Sequence, residues 1–157
     1  MNFENNPKRY PVFKDVAGRP EIIQSGDYST ILAITPRHIV KVPIDPAYNL
    51  AEEYTNHLEV YHSDIPCPKP IGLFRFFPEG YGGEFGIGLI MERLTGLTGN
   101  KTQGRTRVRV KRELEAWLAR CRRLGFEPFD EGLHNCIWDT KKEKLYLIDF
   151  KGWTIPG

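Results

Sequence analysis

Apolar and polar positions along this chain alternate in short segments through its first half and recur at helical spacing later. Residues 21–24, 29–34 and 38–44 are apolar-rich runs separated by turn formers at 25–28 and 35–37. That pattern predicts three consecutive strands of an antiparallel meander. Residues 1–20 carry Asn5, Asn6, Pro7, Pro11, Gly18 and Pro20 with little periodicity, and read as an arm with one short strand over 10–13. A helix is predicted over 45–61, with Asp45 as cap, Pro46 in the first turn, and Leu50, Tyr54, Leu58 and Tyr61 recurring at helical spacing. A proline-stiffened connector at 65–70 then leads into a strand over 71–77, a glycine-rich turn at 79–83 and a strand over 86–91.

Residues 95–104 read as a loop, followed by a second helix on which Val110, Leu114, Trp117, Leu118, Cys121 and Leu124 form the apolar face. Gly125 terminates it. The opposite face carries Arg105, Arg107, Arg109, Lys111, Arg112, Arg120, Arg122 and Arg123. With few aromatics among them, these charges read as a solvated face, and no nucleic-acid partner is expected.

Two apolar runs, 136–138 and 145–148, flank a polar turn at 139–144 and predict a β-hairpin. Asn135 and Asp149 then sit at its two open ends, close in space, with Asp130 on the loop that feeds it. Two acids and an amide converging there make an oxygen-only site suited to Mg²⁺, which takes one or two carboxylates and completes its shell with water and phosphate oxygens.

Composition narrows the class without naming a function. At 157 residues, 40% apolar and 27% charged, the chain is expected to form a single domain with a real core. Its three cysteines, Cys67, Cys121 and Cys136, lack metal-ligand spacing and read as reduced thiols. No secretory leader pattern and no 18-residue apolar run occurs, so a cytoplasmic protein without membrane contact is expected.

The spacing Asp130-x-x-x-x-Asn135, then a hairpin, then Leu147-Ile148-Asp149-Phe150, resembles the catalytic loop and metal-binding aspartate of the protein-kinase-like superfamily. That superfamily includes the aminoglycoside and choline phosphotransferases. The resemblance covers about residues 21–152. It implies an α+β, bilobal fold: an antiparallel N-lobe sheet with one helix and the hinge (21–94), then a reduced helical C-lobe with the catalytic-loop hairpin (105–157). It further implies that Asp130 orients the acceptor hydroxyl and that Asn135 and Asp149 hold Mg²⁺. Lys41 matches the strand lysine that contacts the α- and β-phosphates of ATP, and either Glu52 or Glu53, with Glu59 as a third candidate, is its partner from the following helix. Gly26 matches the middle glycine of the phosphate loop, flanked by Gln24 and Ser29 where the family has glycines. Met91 corresponds to the residue at the rear of the adenine pocket, with Glu92 to Leu94 as the hinge.

The sequence departs from the family pattern in four places. Pro128 stands where the family has a histidine two positions before the catalytic Asp, Lys151 replaces the glycine after Asp149-Phe150, and the glycine loop is thinned. The sequence also ends eight residues after Asp149, which suggests a minimal form cut short after the metal-binding motif. These features leave two expectations. One is a phosphotransferase that binds Mg²⁺·ATP and passes the γ-phosphate to a protein or small-molecule hydroxyl. The other is an inactive pseudokinase serving as a nucleotide-binding or protein-interaction module. A further expectation is a subunit whose acceptor platform comes from another chain.

Overall fold

Five strands form one antiparallel sheet in the computed structural model, which describes residues 21–26, 28–45, 48, 50–76 and 86–157. They are β1 (Glu21–Ser25), β2 (Ser29–Thr35), β3 (His38–Pro43), β4 (Pro70–Phe76) and β5 (Gly86–Glu92), in the order β1-β2-β3-β5-β4. The first three form the predicted meander, and β5 inserts between β3 and β4, which makes β3 central. The register sets Lys41 opposite Ile31 on one side and Leu89 on the other. The strand expected over 10–13, the turn at 79–83 and Phe77 lie outside the described residues.

The chain divides into two compact units, Met1–Thr55 with Pro70–Arg93, and Asn56–Lys69 with Leu94–Gly157. The first helix, α1 (Ala51–His62), runs through the boundary at Thr55. It starts six residues later than a cap at Asp45 predicts, next to Leu50, where the apolar spacing begins. The Asp45 carbonyl instead closes a local turn with the Tyr48 amide (3.0 Å), and the helical bond Tyr54 N–H to Leu50 C=O (2.9 Å) marks the real start. Asp45 therefore does not cap α1. Its buried stripe mixes Leu50, Ala51, Tyr54 and Val60 with Glu53, Asn56 and His57. Buried polar residues on a helix face are the informative exception, since each must be satisfied by a partner.

In the second unit, α2 (Gly104–Arg123) buries Val110, Leu114, Leu118 and Cys121, as the spacing predicts, while Trp117 is only partly buried and Leu124, expected on the same face, is the exposed C-cap residue. Gly125 follows it at φ 94°. The Phe126 amide donates to the Cys121 carbonyl (3.0 Å) and the Gly125 amide to that of Arg122 (3.0 Å), closing the helix with a Schellman motif. The predicted hairpin is β7 (Cys136–Asp139) and β8 (Lys144–Leu147), with Asp139 Oδ1 accepting from the Lys141 and Lys142 amides in the turn. The stretch 95–104 is not a plain loop. Its short strand β6 (Leu97–Thr98) pairs with Trp138 and Ile137, giving the three-stranded sheet β6-β7-β8. A two-residue strand is too short for an alternating pattern to reveal it. The core of this unit joins α2 to Trp138, Leu145 and Leu147 of the hairpin and to Phe126, Phe150 and Trp153.

Candidate functional site

The first unit contributes a buried ion pair. Lys41 projects from central strand β3, and its Nζ lies 2.6 Å from Glu53 Oε1 in the first turn of α1. The residues are 8% and 5% exposed, whereas Glu52, also in that first turn, faces solvent. The structure thus chooses Glu53 over Glu52 as the partner of Lys41. The choice follows from helix phase: Glu53 shares the buried stripe with Asn56, His57 and Val60, which lie three, four and seven positions on.

The other first-unit candidates are less constrained. The Gly26 amide donates to the Ser29 carbonyl (2.9 Å) in an exposed turn, and a β-carbon there would make only an ordinary 3.7 Å contact. Neither crowding nor a left-handed backbone therefore demands glycine at that position. Met91 is buried in β5 and Glu92 ends that strand, exposed and paired in register with His38. The Arg93 amide donates to the Arg37 carbonyl (2.8 Å), and Leu94, half-buried, opens the second unit.

The second unit gathers the polar loop residues at one end of the hairpin. The Ile148 amide donates to the Asn135 carbonyl (3.0 Å), so the residue before Asp149 is tied to Asn135 itself. Glu127 and Thr154 exchange two backbone hydrogen bonds (2.9 and 3.0 Å), which joins the Asp130 loop to the segment after Asp149. The Phe129 ring lies against Gly152, where a β-carbon would come within 3.0 Å of it. Three separate ties therefore bring the Asp130, Asn135 and Asp149 segments together.

Within that arrangement Asn135 is buried and its amide nitrogen donates to the Asp130 carbonyl (3.2 Å), which directs its side-chain oxygen elsewhere. Asp130 is exposed. Its Oδ2 lies 2.9 Å from His134 Nε2, and its Oδ1 accepts from the Gly132 amide (3.3 Å). The His134 hydrogen bond, helped by the Gly132 amide and Asn135, holds the Asp130 carboxyl below the usual carboxylate range. Asp149 is exposed and has φ 63°, a left-handed conformation that is uncommon outside glycine. Its Oδ1 accepts from the Lys151 amide (3.3 Å).

An amide oxygen and an exposed carboxylate fit Mg²⁺, a hard cation that takes few protein ligands and keeps its waters or phosphate oxygens. They do not fit a closed nitrogen–sulfur zinc site. Among the described residues no group of three or more His, Cys, Asp or Glu side chains could hold a metal by itself.

Three residues escaped the sequence reading. His134 was missed because the family pattern places a histidine before the aspartate, and here one reaches back from four residues after it. Asn56 and His57 were missed because polar residues on an amphipathic helix read as solvent-facing. Both are buried: Asn56 donates to the Phe150 and Trp153 carbonyls, and His57 Nε2 lies 2.6 Å from the Pro68 carbonyl with its ring 4.8 Å from that of Phe150. The basic face of α2 is partly spent on local partners. Arg107 donates to the Asn100 carbonyl, Arg109 pairs with Glu143 and lies over Trp138, and Arg122 pairs with Glu131. No helix among the described residues is long and apolar enough to cross a membrane.

No family model matches the sequence, and no curated protein sequence does. Solved structures do resemble the fold. The structure of WbdD with the kinase inhibitor LY294002 is 18% identical with a TM-score of 0.54, over 84% of this chain and 32% of that one. A 2.2 Å crystal structure of WbdD gives 16% and 0.55, over 85% and 33%. A structure of the bifunctional kinase-methyltransferase WbdD gives 17% and 0.51, over 83% and 31%. This chain thus spans about a third of the length of those proteins. At such identity the likeness establishes the fold: a mixed α/β, kinase-like chain with an antiparallel sheet.

Proposed function

We propose that this chain binds Mg²⁺·ATP and transfers its γ-phosphate to a hydroxyl of a protein or small molecule. The observation that carries the reading is the Lys41–Glu53 pair, buried and 2.6 Å apart on a kinase-like fold. Removing an ammonium and a carboxylate from water costs several kcal/mol per ion, so such a pair is poor value as a stabiliser alone. As a device it presents a fixed positive charge from a central strand, which suits the α- and β-phosphates of ATP. Asn135 and Asp149 supply oxygens for Mg²⁺, whose chemistry is to neutralise phosphate charge. Asp130, held toward its loop by His134 and the Gly132 amide, accepts a hydrogen bond from the attacking hydroxyl and aims it. Catalysis of this kind rests on positioning and charge neutralisation, without a covalent intermediate. Met91 and Glu92 to Leu94 are the groups assigned to the adenine, and Gly26 to the phosphate loop.

A second reading, a nucleotide-binding module without transfer, is favoured by Asp130 being engaged by His134 and by Lys151 following Phe150. Calorimetric titration of ATP with and without Mg²⁺ tests both, using wild type, Lys41→Ala, Asp149→Ala and Asp130→Ala. Metal-dependent binding lost with Lys41 or Asp149, and kept with Asp130, supports the nucleotide site. Phosphate transfer, abolished by Asp130→Ala, then separates enzyme from module. Absence of Mg²⁺-dependent binding in wild type would sink both readings.

A further inference from the structure

We propose that Asn56 is the positioning residue for the Asp149 carboxylate. The inference rests on the nucleotide reading above for its metal step, and on the geometry of the second unit for everything else. Asn56 is 3% exposed, and its amide nitrogen donates to two carbonyls, Phe150 and Trp153, both at 3.1 Å. An amide NH₂ has two protons, so both donors are in use.

Those two carbonyls belong to the ends of one turn. The Trp153 amide donates back to the Phe150 carbonyl (3.3 Å), and Gly152 holds φ 76° at the third position. A positive φ there is the mark of a type II turn. The Lys151 amide, which holds Asp149 Oδ1 (3.3 Å), lies inside this turn. The contacts therefore form a chain from Asn56 to the turn, from the turn to the Lys151 amide, and from that amide to the carboxylate.

Asp149 needs such support. A non-glycine residue at φ 63° persists only where its surroundings over-determine it. On its N-terminal side the Ile148 amide is fixed to Asn135. On its C-terminal side the buried donors of Asn56 fix the turn. The neighbouring His57 does a different job, stacking its ring near that of Phe150 while bonding to Pro68, so it holds the side chain and leaves the backbone to Asn56. Groups that orient a metal ligand from behind matter nearly as much as the ligand, and their loss costs roughly 10- to 100-fold in metal affinity.

The test uses the full chain and two readouts. Amide hydrogen exchange over residues 149–154 needs no ligand, and the ratio of ATP affinities with and without Mg²⁺ reports the metal step. Asn56→Ala should speed exchange in that segment and cut the Mg²⁺ enhancement by about tenfold or more, with metal-free ATP affinity kept. Gly152→Ala perturbs the same turn without touching Asn56 and should lower the same ratio, which keeps the test open should Asn56→Ala fail to fold. Leu118→Ala, a core truncation on α2, should lower stability and leave the ratio unchanged. Unchanged exchange in Asn56→Ala would overturn the proposal. So would faster exchange with an intact Mg²⁺ enhancement, because Asn56 would then be structural only. A wild type without any Mg²⁺ enhancement removes the nucleotide reading, and this proposal with it, before any substitution is made.

Discussion

Asp130 Oδ2 and His134 Nε2 lie 2.9 Å apart across four residues of one loop, and the side-chain amide of the next residue, Asn135, donates to the Asp130 carbonyl (3.2 Å). The aspartate is thus held at both its carboxylate and its backbone by the segment that follows it. Pro128 takes the place of the histidine that the kinase pattern sets before the aspartate, and His134 supplies an imidazole from the other direction. If Asp130 aims a hydroxyl, His134→Ala should leave ATP affinity unchanged and slow transfer roughly tenfold, about 1.4 kcal/mol of barrier. Both side chains are about half exposed, so stability should move by no more than ~0.5 kcal/mol. Steady-state kinetics beside a urea titration checks this, and loss of ATP affinity in the variant would refute it.

The buried pair in the first unit predicts an asymmetry between single and double substitution. Glu53→Leu leaves the Lys41 ammonium without its carboxylate and should destabilise by about 3–5 kcal/mol. Lys41→Met combined with Glu53→Leu replaces both charges by apolar groups and should recover most of that loss while abolishing ATP binding. Glu52→Ala, at a solvent-facing position one residue away, should change stability by no more than ~0.5 kcal/mol. Urea unfolding of the four proteins settles the matter, and equal costs at Glu52 and Glu53 would contradict the burial.

The parts legible in the sequence were those with a strong period. The meander β1–β3 is three apolar-rich runs between turn formers, α2 repeats its apolar face from Val110 to Cys121 for about three turns, and the hairpin pairs two apolar runs around a polar turn, so spacing alone places Asn135 and Asp149 at its open ends. What spacing could not reach is set by tertiary partners. Glu53 is inside and Glu52 outside because of helix phase against the sheet strand that carries Lys41, and the apolar residues Leu50, Tyr54 and Leu58 alone do not fix that phase. The start of α1 lies at Ala51 and not at Asp45 because the early start rests on reading Asp45 as a cap, and the Asp45 carbonyl instead accepts from the Tyr48 amide, while the apolar period itself begins only at Leu50. Asn56 reads as a surface residue until the Phe150 and Trp153 carbonyls are seen to need its donors.

Gly125 makes a local prediction. Its φ of 94° lies in the left-handed region, and a β-carbon there would meet Pro156 Cβ at 3.2 Å. Gly125→Ala should therefore destabilise by about 1–2 kcal/mol through strain at the end of α2. Replacement by asparagine, which tolerates the left-handed region better, should cost less. A thermal melt ranking alanine as benign would show that the Schellman closure can shift without penalty.

Cys121 supplies a prediction with a definite sign. It is fully buried three positions before the α2 cap, and burial pushes its thiol up to about 11 even though Arg122 and a backbone hydrogen bond pull it down. A raised folded-state pKa means that the fold favours the protonated thiol. Its contribution to stability is therefore complete below the ordinary thiol range and is lost as pH rises toward about 11. Urea midpoints of the wild type should fall across that alkaline window, and Cys121→Ala should flatten the fall by removing one titrating group. The same burial predicts that Cys121 in the folded protein resists alkylation at pH 8 and reacts at the rate of a free thiol once urea opens the core. Rapid modification without denaturant would mean that the end of α2 opens readily, and would remove the basis for the alkaline loss as well.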